Sequence, residues 1–231
     1  MKRHIPNCIT LLNQMSGIVA CIAAYNYRFG TAMLFMLIAA MFDFFDGAAA
    51  RALKVSSPIG KELDSLADMI SFGFLPGMVA FRLLTPLADA WTYLPYLGFV
   101  ITLFSALRLA KFNVDTRQTD SFIGLATPAN AILWVGIAYN GYPEAFQSTT
   151  AIVVTLIGIV LSAWLLVSEI PMFSLKFHNF RWADNLIRYI FLFGVVVLAI
   201  VFRLHSLPYI ILWYLVVSII TAIATKRKAS K

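Results

Sequence analysis

The stretch from Asp43 to Asp68, DFFDGAAARALKVSSPIGKELDSLAD, most constrains this chain, because it sets four carboxylates and an arginine into a largely apolar sequence. Five of its residues repeat at the spacing of a single helical face: Asp43, Asp46, Gly47, Ala50 and Arg51. A second face carries Gly60, Asp64 and Asp68 at intervals of four residues. The stretch therefore predicts two helices, each with an acidic stripe.

A short polar segment separates the two predicted helices. Ser57 is a favourable N-cap residue, and Pro58 suits the first helical position after it. These signals predict one helix that ends near Leu53 and a second that starts near Pro58. Asp46 and Asp64 each lie about 10 Å from the turn at a helical rise of 1.5 Å per residue. An antiparallel hairpin would thus bring the acidic stripes together at one level.

Carboxylates at helical spacing usually mark a solvated face, but the flanking sequences MLFMLIAAMF and MISFGFLPGMVAF are apolar. A charged residue inside a membrane segment is a candidate functional residue by default. Several carboxylates cannot crowd into an apolar setting without cations or protons, since burying one unpaired charge costs several kcal/mol. An all-oxygen ligand set suits Mg²⁺ or Mn²⁺. Gly47 and Ala50 leave space for a substrate, and the guanidinium of Arg51 suits a phosphate.

The composition predicts a polytopic membrane protein. Of the 231 residues, 61% are hydrophobic and 19 are phenylalanine, and the mean hydropathy is +0.82. Runs of about 20 apolar residues are long enough to cross a bilayer as helices. The predicted fold is all-α, a single transmembrane domain over 1–231, with the acidic hairpin at 31–85 and two additional C-terminal spans within 186–225. The eight predicted spans are 8–26, 31–53, 59–82, 93–113, 124–141, 149–168, 186–203 and 207–225.

The distribution of lysine and arginine predicts the orientation. With the N-terminus inside, fifteen of these residues fall in cytoplasmic segments, and three, Arg28, Arg82 and Arg203, fall outside. This asymmetry follows the positive-inside rule and places both termini and the acidic hairpin turn in the cytoplasm. The net charge of +7 favours anionic lipid headgroups nearby. It does not indicate nucleic-acid binding, because the positive charges are divided among separate short loops.

The acidic stretch resembles the signature of the CDP-alcohol phosphatidyltransferases, D-x-x-D-G-x-x-A-R, eight residues, then G-x-x-x-D-x-x-x-D. The resemblance implies an enzyme that binds two divalent metal ions, Mg²⁺ or Mn²⁺, through Asp43, Asp46, Asp64 and Asp68. It also implies that Asp68 is the catalytic base and that the protein is a homodimer. With the helix start P-N-x-x-T-x-x-N, it implies these contacts to the CDP-lipid: Asn7, Thr10, Gly47, Arg51, Ser57 and Gly60.

Three further strings, DMISFG, RLAKFN and GLATP, resemble the phosphatidylserine synthase branch of that family. They imply an acceptor site that includes Ser71, Arg108, Lys111 and Asn113. Each string also has a structural interpretation. Ser71 could bond to its own helix, and Arg108 and Lys111 could extend to the membrane surface. Thr127 and Asn130 could bind the acceptor or cap their helix, and capping is the preferred interpretation.

The expected activity is transfer of the phosphatidyl group from CDP-diacylglycerol to L-serine at the cytoplasmic face of the cell membrane, giving phosphatidylserine and CMP. Glycerol 3-phosphate or an inositol phosphate is the alternative acceptor, but either should require a larger basic cluster than Arg108 and Lys111. A proton- or cation-coupled transporter is the alternative of another class. It should place acidic groups near the bilayer midplane with access to both sides, whereas these acids lie toward one side.

Overall fold

The computed structural model describes residues 4–55, 57–87, 92–115, 122–141, 148–173 and 181–229. In these residues the fold is almost entirely helical, as predicted. The α-helices are α1 His4–Tyr25, α2 Phe29–Ala52, α3 Pro58–Asp68, α4 Leu75–Leu84, α5 Val100–Val114, α6 Thr127–Gly141, α7 Thr149–Val167, α8 Trp182–Phe202 and α9 Leu207–Ala229. A π-helical segment, Met69–Phe74, joins α3 to α4, and 3₁₀ turns cover Thr85–Leu87, Leu94–Phe99 and Arg203–Ser206.

In the half of the fold that carries the acidic hairpin, helix α1 packs against α2, α3, the π-helical segment and α4. Small residues on its buried side allow this close packing, among them Gly17, Ala20 and Ala24. A Cβ atom added to Gly17 would lie only 2.7 Å from the Cα atom of Ser71 in the π-helical segment. The two acidic helices α2 and α3 therefore both pack against α1.

The predicted hairpin is confirmed at its turn. Helix α2 ends at Ala52 and α3 starts at Pro58, and the Oγ of Ser57 accepts a hydrogen bond from the N–H of Gly60 at 2.9 Å. The predicted span 59–82 differs from a continuous helix, because π-helical turns begin directly after Asp68. The hydroxyl of Thr102 donates to the carbonyl of Gly73 within this segment at 3.2 Å. Such π-helical insertions often occur at functional sites.

Six helical stretches are long and apolar enough to cross a membrane, by length and composition, within the described residues. They are His4–Tyr25, Phe29–Ala52, Pro58–Leu84, Leu94–Val114, Thr149–Val167 and Asn185–Ala224. The prediction of eight spans differs in two places. The predicted span 124–141 forms the 15-residue α6, which at 1.5 Å per residue is about 22 Å long and shorter than a hydrocarbon core of about 30 Å. The last stretch covers most of α8 and of α9, the helices predicted at 186–203 and 207–225.

The C-terminal helices lie on the outside of the bundle. Helix α9 packs against α6, and α8 packs against α9. Helix α8 exposes large apolar side chains, such as Phe193 and Ile200, each 73% exposed. Exposed apolar surface on this scale is suited to contact with lipid rather than water. The chain is a polytopic all-α membrane protein.

A two-residue antiparallel ladder closes the end of the bundle near α5 and α7. Strand β1, Phe122–Ile123, pairs with β2, Pro171–Met172. Gly124 follows β1 at φ +72°, and a Cβ atom there would lie 2.9 Å from the carbonyl oxygen of Ser168. Only glycine adopts this conformation readily in so little space. Strand β2, which begins at Pro171, packs on α9.

The opposite end of the bundle carries an arginine held by aromatic rings. The guanidinium of Arg82, near the end of α4, lies 3.7 Å from the ring centroid of Tyr27 and 4.9 Å from that of Tyr25. These contacts bring the end of α4 beside the turn between α1 and α2. The acidic hairpin turn lies at the other end, where a Cβ atom on Gly60 would be 3.2 Å from the Oδ1 of Asn7.

Candidate active site

Three of the four predicted acidic ligands form one cluster. Asp43 of α2 and Asp64 and Asp68 of α3 each offer a carboxylate oxygen, and these oxygens lie within 4.8 Å of one another. The three side chains are half-buried. Like charges at this separation repel strongly where water is scarce. The cluster therefore calls for a compensating positive charge.

Asp46 lies outside this trio, on the next turn of α2 after Asp43. It is only 6% exposed and lines a cleft together with Asp64. Oδ2 of Asp46 and Oδ1 of Asp64 are buried without a hydrogen-bond partner among the described residues. Buried polar atoms are normally paired, so these oxygens are free to bind something outside the chain. Hard oxygen donors of this kind fit Mg²⁺ or Mn²⁺, and metal binding by all four carboxylates stays a prediction.

A cleft of about 290 Å³ opens beside the acidic cluster, between α2 and the start of α3, with the start of α1 as one wall. Five of the six residues predicted to contact the CDP-lipid line it: Asn7, Thr10, Gly47, Ser57 and Gly60. Arg51, the sixth, is exposed at its edge, with one guanidinium nitrogen 3.3 Å from where a Cβ atom on Gly47 would lie. The cleft thus has carboxylates along one side and an arginine at its edge, an arrangement suited to a metal-bound diphosphate.

The two glycines of the motif keep this cleft open. A Cβ atom on Gly60 would lie 3.0 Å from the Oγ of Ser57 and 3.2 Å from the Oδ1 of Asn7. A Cβ atom on Gly47 would press against the guanidinium of Arg51. Contacts this short are rare for real Cβ atoms. Glycine at both positions lets a ligand approach the backbone.

Sequence reasoning missed Asn13, which is fully buried in α1 beneath the acidic cluster. Its Nδ2 donates to Oδ1 of Asp68 at 3.4 Å, and its backbone carbonyl accepts from the hydroxyl of Ser71 at 3.2 Å. The spacing of Asn7, Thr10 and Asn13 could have indicated it, since these polar residues recur at intervals of three in the first half of the helix.

Ser71, predicted at the acceptor site, bonds to α1 rather than to its own helix. Its buried hydroxyl donates to the carbonyl of Asn13. Asn113, another predicted acceptor residue, links α5 to α3. Its Nδ2 donates to the Oγ of Ser65 at 2.8 Å, and its carbonyl accepts from the Nζ of Lys61 at 3.0 Å. Both contacts stabilise helix packing around the site, and acceptor binding by either residue stays a prediction.

Arg108, another predicted acceptor residue, interacts electrostatically with the acidic cluster. It is 8% exposed, and Asp68 is the charged group that acts on it. One guanidinium nitrogen donates to the hydroxyl of Thr127 at 3.4 Å, and the group stacks 5.1 Å from the ring centroid of Phe112. Burial excludes a simple extension to the membrane surface for Arg108, whereas Lys111 is exposed.

The preferred interpretation of Thr127 and Asn130 as helix caps is wrong. The hydroxyl of Thr127 accepts from Arg108, and both polar atoms of the Asn130 side chain lack a hydrogen-bond partner in the described part of the chain. The segment after α7 also contributes here. Ser168 and Glu169 line a small cavity of about 30 Å³ together with Arg108 and Lys111.

Comparison with known proteins agrees with this geometry. The sequence model of the CDP-alcohol phosphatidyltransferase family matches residues 3–174. The chain belongs to this family. The match spans the acidic hairpin, the start of α1 and the Arg108 region, and it ends before α8.

Curated relatives from bacteria and archaea are also similar to the chain. A CDP-diacylglycerol–serine O-phosphatidyltransferase of Bacillus subtilis is 32% identical over 187 residues, which cover 79% of this chain and 96% of that protein. The Helicobacter pylori protein of the same name is 31% identical over 186 residues, covering 76% of this chain and 72% of its own length. An archaetidylserine synthase of Methanothermobacter thermautotrophicus is 32% identical over 142 residues, with coverage of 60% and 59%.

Proposed function

We propose that this protein transfers the phosphatidyl group from CDP-diacylglycerol to L-serine and releases CMP. The observation that carries the proposal is the convergence of Asp43, Asp64 and Asp68 beside a cleft lined by the family's nucleotide-contact positions. The family match gives the reaction class. The names of the bacterial and archaeal relatives support serine as the acceptor.

The four aspartates would hold the divalent ions, with Asp43, Asp46 and Asp64 mainly as ligands. Bound ions would neutralise the diphosphate and orient it for displacement. The family depends on divalent metal, and the choice between Mg²⁺ and Mn²⁺, like the presence of two ions, is part of the proposal. Arg51 and the backbone at Gly47 and Gly60 would hold the nucleotide end of the substrate.

Asp68 would act on the acceptor. In this mechanism its carboxylate takes the proton from the hydroxyl of serine, and that oxygen attacks the phosphorus next to diacylglycerol. The bond from this phosphorus to the bridging oxygen breaks, and CMP leaves with the bonding electrons. A carboxylate near divalent ions is a weak base, so its efficiency depends on close contact with the hydroxyl. The bond from Asn13 restricts its orientation.

Arg108 would bind the carboxylate of serine. The buried guanidinium of Arg108, which interacts electrostatically with Asp68, offers a fork that matches a carboxylate. Phosphate-bearing acceptors carry more charge and should require further buried cations. Lys111 is exposed, and Lys61 already donates to Asn113. These features favour serine over glycerol 3-phosphate or an inositol phosphate.

We place the site and both termini on the cytoplasmic face of the cell membrane, in one transmembrane domain with two additional C-terminal spans. The excess of cytoplasmic lysine and arginine supports this orientation. The cleft also lies at the end of the bundle opposite to Arg82, one of the three arginines assigned to the outside. Assembly as a homodimer is proposed from the family resemblance alone.

The test is CMP release by the purified full-length protein in detergent with CDP-diacylglycerol and Mg²⁺ or Mn²⁺. Serine, glycerol 3-phosphate, inositol phosphate and no acceptor are compared in parallel. We expect CMP and phosphatidylserine with serine. If CMP is released only with glycerol 3-phosphate or only with inositol phosphate, that compound is the acceptor instead of serine. Failure to release CMP with every acceptor and both metals would refute the enzyme assignment.

A further inference from the structure

Asn13 carries one polar atom whose role the fold does not explain. Its Nδ2 and its backbone carbonyl are both hydrogen-bonded, but its side-chain oxygen Oδ1 has no partner among the described residues. The residue is 0% exposed. An unpaired buried polar atom costs about 1–3 kcal/mol. Its retention next to a candidate catalytic carboxylate indicates that a bound molecule completes its hydrogen bonding.

The contact with Asp68 fixes which way the amide points. An ionised carboxylate only accepts hydrogen bonds, so the NH₂ group of Asn13 must face Asp68 and Oδ1 must face away from it. A group that binds at Oδ1 has to offer a hydrogen or a positive charge. An ammonium group meets this requirement, and a phosphate or carboxylate group does not.

Arg108 of α5 supplies a complementary charge. Its guanidinium is buried, donates to Thr127 and interacts electrostatically with Asp68. Asp68 is therefore accompanied by a hydrogen-bond acceptor on α1 and a cation on α5. Serine carries an ammonium and a carboxylate on one carbon atom and its hydroxyl on the next. These three groups match Oδ1 of Asn13, Arg108 and Asp68 in chemical character.

We propose that Asn13 is a specificity-determining residue that accepts a hydrogen bond from the ammonium group of the amino-acid acceptor while its amide NH₂ positions Asp68. This inference rests on the proposed function. A phosphate group in the position of the ammonium group would be repelled by the lone pairs of Oδ1. Asn13 thus favours an amino acid over a phosphate-bearing alcohol.

The test compares serine with 3-hydroxypropionate, which keeps the hydroxyl and the carboxylate but lacks the ammonium group. The enzyme and its Asn13→Ala and Asn13→Ser variants are assayed for kcat/KM with each acceptor. A loss of Asp68 positioning lowers both values, whereas a loss of ammonium recognition lowers only the value for serine. We expect the preference for serine over 3-hydroxypropionate to fall about tenfold or more, with the KM for CDP-diacylglycerol within about twofold of the wild-type value.

Cys21→Ala is the matched control, because Cys21 lies on the same helix and its Sγ donates to the carbonyl of Ile70 at 3.8 Å. It should keep the wild-type preference. If Asn13→Ala is unstable in detergent, Asn13→Ser gives the same ratio. An unchanged preference in a folded variant overturns the proposal. So does a shift in the Mg²⁺ requirement without a change in preference, which would make Asn13 a metal ligand. If the wild type makes no phosphatidylserine, the proposed function itself has failed.

Discussion

Gly17→Ala tests whether close packing of α1 against the π-helical segment sets the geometry of Asp68. The added Cβ atom would clash with the Oγ of Ser71 and would lie 2.7 Å from its Cα atom and 2.9 Å from its Cβ atom. Carbon atoms in contact are about 3.5–4.0 Å apart. The Cα atom belongs to the backbone, so a change of side-chain rotamer cannot relieve the clash. The two segments must move apart by about 1 Å.

That displacement acts directly on the site. The bond from Asn13 to Asp68 is already 3.4 Å long and the bond from Ser71 to Asn13 is 3.2 Å, so a shift of this size breaks both. Overpacking of this kind destabilises a protein by about 1–3 kcal/mol, and a misplacement of about 1 Å can lower turnover about 10²-fold. We expect both effects in Gly17→Ala.

The assay measures CMP release and thermal unfolding in detergent, with Gly30→Ala as the matched control. A Cβ atom on Gly30 would lie 3.5 Å from the ring of Tyr139, an ordinary contact, so this variant should behave as wild type. Adding Ser71→Ala to Gly17→Ala should not restore activity, because the clash with the Cα atom remains. Normal turnover and stability in Gly17→Ala would refute the reasoning.

Three further predictions concern the site itself. Asp68→Asn should keep the fold and lower turnover by roughly 10²–10⁴-fold, measured by single-turnover CMP release; substantial residual activity would contradict its role as base. Gly60→Ala should raise the KM for CDP-diacylglycerol with little change in kcat, because the added Cβ atom lies 3.0 Å from the Oγ of Ser57. An unchanged KM would argue against binding of CDP-diacylglycerol on that side of the cleft. Chelation with EDTA should abolish CMP release, and Mg²⁺ or Mn²⁺ should restore it; activity that persists after chelation would argue against metal ligation by the aspartates.

The acidic hairpin could be predicted in detail because its signals are local. The N-cap at Ser57, the proline after it and the three- and four-residue spacings of the acids all act within a few turns of chain. The acidic helices face each other, as predicted, and Asp43, Asp64 and Asp68 form the cluster. The span prediction was less accurate at α6, which starts three residues after the predicted span does, because the preceding residues form β1 and the turn at Gly124.

The acceptor region was harder to predict because its polar residues depend on contacts between distant segments. Thr127 was interpreted as a cap, but it accepts from Arg108, which is 19 positions away in the sequence. Ser71 bonds to a residue 58 positions earlier. No periodicity in either segment indicates such a partner.

The sequence alone determined the membrane class, the acidic stripes and the family signature, because apolar run length, helical spacing and charge bias are properties of neighbouring residues. Only the tertiary structure decided that α1 packs against both acidic helices and that Asn13 donates a hydrogen bond to Asp68. It also decided that Arg108 is buried. These features arise from which helix faces meet, and that depends on packing small residues such as Gly17 against segments far away in the chain.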